Sequence, residues 1–303
     1  MRICLFGAGS LGSALGGMLA KNNEVVLIAR RKHVLAVRQS GLRLVGDVRL
    51  VARVEAADDL QGIAPPELLV ITTKAYDTDE AIRQCRRWVT KETRVLTLQN
   101  GLGNLESLRK WLGSRAFGGT TSMGAALIRP GVVRVSGQGK TVIGGDLDPA
   151  GAGMIARAFS SCGLQTIVDK NIYGQIWAKA IVNACINPMT AILGVPNGRL
   201  LESPVIERLM GTVCDECGQI AMSNGIRLPQ GSMKLRVQAV ARDTSENVSS
   251  MLQDVRNGKR TEIDQISGAF VRIGGLRGVP TPLNSTLAAM VDSMSRGEVV
   301  GKG

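Results

Sequence analysis

An α/β domain over residues 1–168 followed by an all-helical domain over 169–303 is what this sequence predicts, and three observations carry it. Short apolar bursts alternate with helical periodicity through the first 75 residues, the mark of a parallel sheet covered by helices. The stretch from Phe117 to Gly145 is rich in Gly, Thr and Val, which favours strands and turns. From about Asn171 onward the pattern is mostly helical. A chain of 303 residues is long enough for two such domains at the usual ~100–200 residues each.

The elements follow in order. Ile3–Phe6 reads as a first strand, Ser10–Lys21 as a helix, Val25–Ala29 as a second strand and His33–Ser40 as a second helix. Leu68–Thr72 is a buried strand, Asp77–Val89 is helical, and Arg94–Leu98 is a strand ending at Gln99-Asn100-Gly101. In the second half, helices are expected over Ile172–Ile186, Val205–Ser223, Met233–Ala241, Ser249–Asn257, Ile263–Ile273 and Ser285–Ser295. Breaks are expected at Pro188, Pro196-Asn197-Gly198, Pro229 and Pro280/Pro282.

Composition narrows the function classes. Hydrophobic residues at 44% and charged residues at 20% provide for packed cores and exclude a disordered chain. No run approaches the roughly 18 uninterrupted apolar residues of a membrane span. The opening Met1-Arg2-Ile3-Cys4-Leu5-Phe6 lacks the layout of a signal peptide, so a cytoplasmic location without a membrane partner is expected. The net charge is 37 − 25 = +12. Aromatics are only 3%, and the cations are interspersed rather than gathered in tracts. No nucleic-acid partner is therefore expected, and steering of small anions is the more economical use of the field.

Six cysteines spread over a long chain read as free thiols, with Cys214 and Cys217 as two thiols on one helix. The single histidine, His33, removes His-rich metal sites, and no metal is predicted. Acid–base chemistry then falls to Lys, Asp, Glu, Tyr or Cys.

Gly7-Ala8-Gly9-Ser10-Leu11-Gly12 fits G-x-G-x-x-G, and its context gives the pattern weight. It directly follows a strand, opens a helix, and leads to a second strand. In that setting Gly7 makes the turn, Gly9 lets backbone approach a pyrophosphate, and Gly12 permits close helix–strand packing. The free N–H groups of the helix start would bind the phosphate. The first domain is thus expected to be a Rossmann-type dinucleotide-binding domain. Where an NAD site carries Asp or Glu after the second strand, this chain has Arg30-Arg31-Lys32. A guanidinium there can grip a 2′-phosphate, so NADP(H) is the expected cofactor.

Lys179, Asn183 and Asn187 recur every four residues in an otherwise apolar helix, each step turning about 40°. A lysine and two amides on one edge suit a ligand-facing line better than a solvent face, which would carry more charge. Partly desolvated, Lys179 would have a lowered pKa and give up a proton near neutrality. A second polar cluster, from Asn247 to Arg256 and then Thr261 to Asp264, has plainer readings. Ser249 is an N-cap candidate, and Glu262 an acid in the first turn of the next helix.

These segments together resemble the ketopantoate reductase (2-dehydropantoate 2-reductase) family over nearly the whole chain. The resemblance includes the glycine loop, Thr73-Lys74-Ala75, Gln99 to Gly103, Pro130-Gly131 and Lys179 with Asn183 and Asn187. It continues through Pro196-Asn197-Gly198, Ser249 to Asp254, Thr261 to Asp264 and Pro280-Thr281-Pro282. It implies NADPH-dependent reduction of 2-dehydropantoate to (R)-pantoate, in the pantothenate route to coenzyme A. Arg30 would take the 2′-phosphate, and Lys74, Asn100 and Ala125 would line the cofactor cleft, Asn100 also near substrate. Lys179 would donate the proton, and Asn183, Asn187, Asn197 and Ser250 would hold the substrate. Glu262 would contact the cofactor and order the site. The implied partner is a small 2-oxo acid, and the assembly is open, a homodimer included. Two alternatives stand: the same chemistry on a different 2-oxo acid, and a non-catalytic NADPH-binding sensor. A sensor would keep the glycine loop without needing Lys179 and its asparagines.

Overall fold

A computed structural model describes residues 1–296. The chain forms two compact units, one of residues 1–99 with 104–172 and the other of 100–103 with the residues from 173 onward. The division falls four residues after the 168/169 boundary expected from the sequence. It also assigns 100–103 to the helical unit, because the Leu102 N–H donates to the Gln265 carbonyl at 3.0 Å and the Leu102 side chain joins the helical core.

The first unit contains β1 (Arg2–Phe6), α1 (Ser10–Leu19), β2 (Glu24–Ile28), α2 (Arg31–Ser40), β3 (Leu42–Gly46), β4 (Leu50–Ala52) and β5 (Glu55–Ala57). It continues with β6 (Leu68–Ile71), α3 (Thr78–Cys85), β7 (Arg94–Thr97), α4 (Asn104–Leu112), β8 (Ala116–Thr121) and β9 (Gly124–Arg129). β10 (Val132–Ser136), β11 (Thr141–Gly144), α5 (Pro149–Ser160) and β12 (Thr166–Val168) complete it. The main sheet has the order β12-β11-β8-β7-β6-β1-β2-β5. From β5 to β8 all neighbours are parallel, while β11 runs antiparallel to β8. β1 and β6 are apolar runs because both sheet faces are covered. The chain passes from β1 to β2 on one side and later returns to β6 on the other, so β1 marks a switch point where ligands bind at strand ends. In register, Phe6 pairs with both Ile28 and Ile71, which sets the three strand ends level.

Residues 42–46 and 50–52 form two strands of a second sheet that the sequence left unassigned, ordered β4-β3-β10-β9. This sheet packs through Leu42, Leu44, Val133 and Val135 onto the same core as α1. The helix expected over Asp77–Val89 stops at Cys85, preceded by a 3-10 turn over Ala75–Asp77.

The helical unit carries α6 (Ile172–Leu193), α7 (Pro204–Ser223), α8 (Met233–Asp243), α9 (Ser250–Arg256), α10 (Ser267–Arg277) and α11 (Pro282–Arg296). α6 continues through Pro188, where a break was expected. An interior proline costs a helix ~3 kcal/mol. Here Cys185, Ile186, Met189 and Ala191 on both sides of it are buried, and that burial outweighs the penalty. By length and composition α6 alone among the described helices would suffice to cross a membrane; 72% of its apolar window is buried. Trp177 of α6 meets Phe270 of α10 edge to face at 5.7 Å. The buried Glu216 carboxylate closes the start of α11, accepting from Leu283 N, Asn284 N and Asn284 Nδ2 at 3.0, 2.9 and 2.7 Å. All six cysteines are free and buried, and Cys214 and Cys217 both lie on α7.

His33 is buried and has a structural place beside the glycine loop. Its Nδ1 accepts from Gly131 N at 3.1 Å, so the ring proton sits on Nε2 and is donated to Ser13 Oγ at 3.1 Å. The Ser13 hydroxyl then donates to the Ala8 carbonyl at 3.1 Å. This relay joins α1, α2 and the β9–β10 turn. Burial pushes the His33 pKa down, because an imidazolium would be desolvated, and its second N–H would face the Gly131 N–H. With the folded value below the unfolded one of about 6.5, His33 contributes stability that is fully present above that pH. The contribution is lost as pH falls through the lower folded value. The melting temperature should therefore fall between pH 7 and pH 5.5, a window in which His33 is the only side chain that ordinarily titrates. His33→Gln should be less stable at pH 7 and lack this slope in thermal unfolding across the same range; an unchanged slope would assign the effect elsewhere.

Candidate active site

The glycine loop follows from sterics. Gly7 has φ +84°, and a Cβ on it would approach Thr73 N to 2.7 Å. A Cβ on Gly12 would overlap Thr72 Oγ1, which is itself held by the carbonyls of Phe6 and Gly7. At Gly9, by contrast, the nearest atom to an added Cβ is the Gly7 carbonyl oxygen at 3.9 Å, so that side is open. Two glycines thus serve packing and the third leaves room for a ligand. α1 starts with no side-chain cap and no acid in its first turn. Its first intrahelical bond runs from Ser13 N to Gly9 O, which leaves the N–H groups of Ser10, Leu11 and Gly12 ahead of any helical acceptor. Such a terminus fits a pyrophosphate.

The other dinucleotide candidates of this unit gather around the same loop. Gly7 N and Ala8 N both donate to Ile28 O, at 3.0 and 2.8 Å, fastening the loop to the end of β2. Two residues further on, Arg30 is exposed at the N-cap of α2, followed by exposed Arg31 and Lys32. Lys74 follows Thr73, the residue beneath Gly7. The Gln99 amide donates to the Thr73 carbonyl and hydroxyl at 3.1 and 3.0 Å and so orders that turn, a role the sequence pattern did not single out. Ala125 lies on β9, whose Leu127 N–H donates to Ser10 Oγ at 3.0 Å.

In the helical unit, Lys179, Asn183 and Asn187 occupy one edge of α6, with Lys179 and Asn183 partly exposed and Asn187 buried. Burial is the dominant influence on Lys179 and lowers its pKa to about 8; the Glu262 carboxylate pulls in the opposite direction and offsets part of that loss. Glu262 is not an acid in a solvated first helical turn, as the sequence suggested. It is 6% exposed and stands before a 3-10 turn over Ile263–Gln265, after which α10 starts only at Ser267. Asn100 Nδ2 donates to Glu262 Oε2 at 3.4 Å. The neighbouring Gly101, at φ +83°, lies against the Gln265 carbonyl, where no side chain fits. Lysine, carboxylate and amide therefore form one electrostatic cluster in this unit.

Asn197 opens a 3-10 turn after Pro196. Its Nδ2 donates to Thr244 Oγ1 at 2.8 Å, while its Oδ1 is buried without a hydrogen-bond partner among the described residues. A buried lone acceptor of this kind suits a ligand hydroxyl. Ser249 caps α9 through Leu252 N at 3.1 Å, and Ser250 is exposed at the first position of that helix. Among the described residues no group of His, Cys, Asp and Glu is arranged to hold a metal ion.

Comparison with known proteins gives concordant results. The family model described as "Ketopantoate reductase PanE/ApbA" matches residues 3–146, and its C-terminal counterpart matches 171–295. A 2-dehydropantoate 2-reductase of Pyrococcus horikoshii is 41% identical over 296 residues, spanning 96% of each chain. The crystal structure of a ketopantoate reductase from Ralstonia eutropha superposes with a TM-score of 0.91 at 33% identity, covering 98% of this chain and 99% of that one. D-mandelate dehydrogenase in a ternary structure with NADH and anilino(oxo)acetate superposes with a TM-score of 0.93 at 28% identity and the same coverage. On these matches, which span both units, the chain belongs to the ketopantoate reductase family.

Proposed function

We propose that this protein reduces 2-dehydropantoate to (R)-pantoate with NADPH. The observation that carries the reading is the cluster of Lys179, Glu262 and Asn100 beside the amide edge of α6, in a chain 41% identical to a 2-dehydropantoate 2-reductase. The dinucleotide, when bound, supplies the hydride. Ser10, Leu11 and Gly12 offer their backbone N–H groups to its pyrophosphate, and Gly7 and Ala8 hold the loop in shape. Gly9 leaves the approach clear, Arg30 grips the 2′-phosphate, and Lys74 and Ala125 flank the loop. Asn183, Asn187, Asn197 and Ser250 hold the hydroxylated carboxylate with neutral groups, which do not compete with Lys179 as its charge partner. As the ketone oxygen gains negative charge, the Lys179 ammonium stabilises it and gives it a proton. Asn100 and Glu262 keep that ammonium placed, and both are also assigned to the cofactor side.

The likeness to D-mandelate dehydrogenase favours a second reading, reduction of another 2-oxo acid with NADH or NADPH. Rates of NADPH and NADH oxidation against 2-dehydropantoate and a panel of alkyl and aryl 2-oxo acids separate the two. The first reading expects 2-dehydropantoate to have the highest kcat/KM.

NADPH should be preferred over NADH by about an order of magnitude, and Arg30→Ala should raise the NADPH KM roughly tenfold while leaving that for NADH nearly untouched. Equal loss with both cofactors would show that Arg30 does not read the 2′-phosphate. Lys179→Ala should fold and bind NADPH, yet lose about 10²–10⁴-fold in turnover. Because the proton donor must be charged, wild-type turnover should decline as pH rises through about 8. That limb should vanish from the residual activity of the variant. Near-normal turnover with lowered thermal stability would instead make Lys179 a structural lysine.

A further inference from the structure

We infer that the buried hydroxyl pair Thr190–Ser249 is a positioning device for substrate binding, setting Ser250 against the amide edge of α6. Thr190 is fully buried on α6 and Ser249 is 6% exposed at the N-cap of α9. Their oxygens share a hydrogen bond of 2.7 Å. Thr190 Oγ1 also lies 2.9 Å from the Asn187 carbonyl, and Ser249 Oγ accepts from Leu252 N at 3.1 Å.

The Thr190 hydroxyl is the donor to Ser249 Oγ. The Leu252 N–H can only donate, and the Asn187 carbonyl can only accept. Ser249 Oγ therefore accepts twice, from Leu252 N–H and from the Thr190 hydroxyl, which also lies within hydrogen-bond reach of the Asn187 carbonyl. The chain begins in the first turn of the helix that presents Ser250 and ends on the backbone of Asn187.

The loop before α9 is held on a second side as well. Asn197 N donates to Asn247 O and Gly198 N to Ser245 O, both at 3.0 Å, alongside the bond from the Asn197 side chain to Thr244. Asn187, Asn197 and Ser250 are thereby linked through polar bonds, buried on the Thr190–Ser249 side and partly exposed on the Asn197 side. Thr190 and Ser249 act through these residues and are not themselves substrate contacts.

The inference rests on reading Asn187 and Ser250 as substrate contacts, and the test separates the two. Thr190→Val keeps the shape and removes the hydroxyl. It should raise the KM for 2-dehydropantoate about five- to tenfold, with kcat changed less than about threefold and the NADPH dissociation constant unchanged. Thr190→Ser restores the hydroxyl and should return KM to within about twofold of wild type. A merely structural threonine predicts otherwise: a lower melting temperature in both variants, the serine being the worse for its lost methyl, with KM unmoved. Ser250→Ala, measured alongside, should raise KM as well. If Ser250→Ala raises KM and Thr190→Val does not, the positioning role is overturned while the substrate contacts stand. If neither moves KM, the reading of the substrate contacts falls and the positioning role falls with it.

Discussion

A lysine ammonium withdrawn from bulk water is the constraint around which the helical unit is organised. Desolvation disfavours the charge, and an opposite charge nearby has to restore part of what is lost. Glu262 meets that need, but a carboxylate that is 6% exposed requires polar partners of its own. Asn100 provides one, and bringing Asn100 there requires the backbone of 100–103 to lie against the turn that follows Glu262. The close approach excludes a side chain at Gly101 and needs its positive φ. One partly desolvated charge thus accounts for an acid, an amide, a glycine and the chain path between them.

The glycine loop answers a different constraint, backbone rigidity. It is tied to the end of β2 through Ile28, to β9 through Ser10, and to α2 and the β9–β10 turn through Ser13 and His33. A loop fixed on three sides has little conformational freedom left to lose when a ligand arrives. The second sheet supplies two of these ties.

Much of this was legible in the sequence. The alternation of apolar strands and helices, the glycine loop, the basic start of α2 and the four-residue spacing on α6 follow from local pattern and simple sterics. β3 and β4 were not legible, since their alternation is short and acquires meaning only against β10, nearly ninety residues away. Pro188 misled because local propensity predicts a break that burial on both sides overrides. The environment of Glu262 was hidden for a similar reason. Its sequence neighbours suggest a helix start, whereas its hydrogen-bond partner Asn100 stands 162 residues earlier. His33 carried a signal as the only histidine, but its partners Ser13 and Gly131 belong to other elements.

The assignment of residues 100–103 to the helical unit has a consequence for how the chain is made. Residues 1–172 leave the ribosome with everything the α/β unit needs, except that Leu102 has no home until the turn around Gln265 has been synthesised. The 163 residues added after Leu102 up to Gln265 take roughly 8–33 s at usual synthesis rates of about 5–20 residues per second. Through the last 93 of those residues, 173–265, the α/β unit is complete while the Leu102 side chain and N–H still lack their partners. The same four residues also constrain recombination. A crossover at 172/173 that imported a helical unit from another lineage would separate it from the segment that completes its core and holds its carboxylate. An exchange of the helical unit at that point therefore calls for residues 100–103 to be exchanged with it.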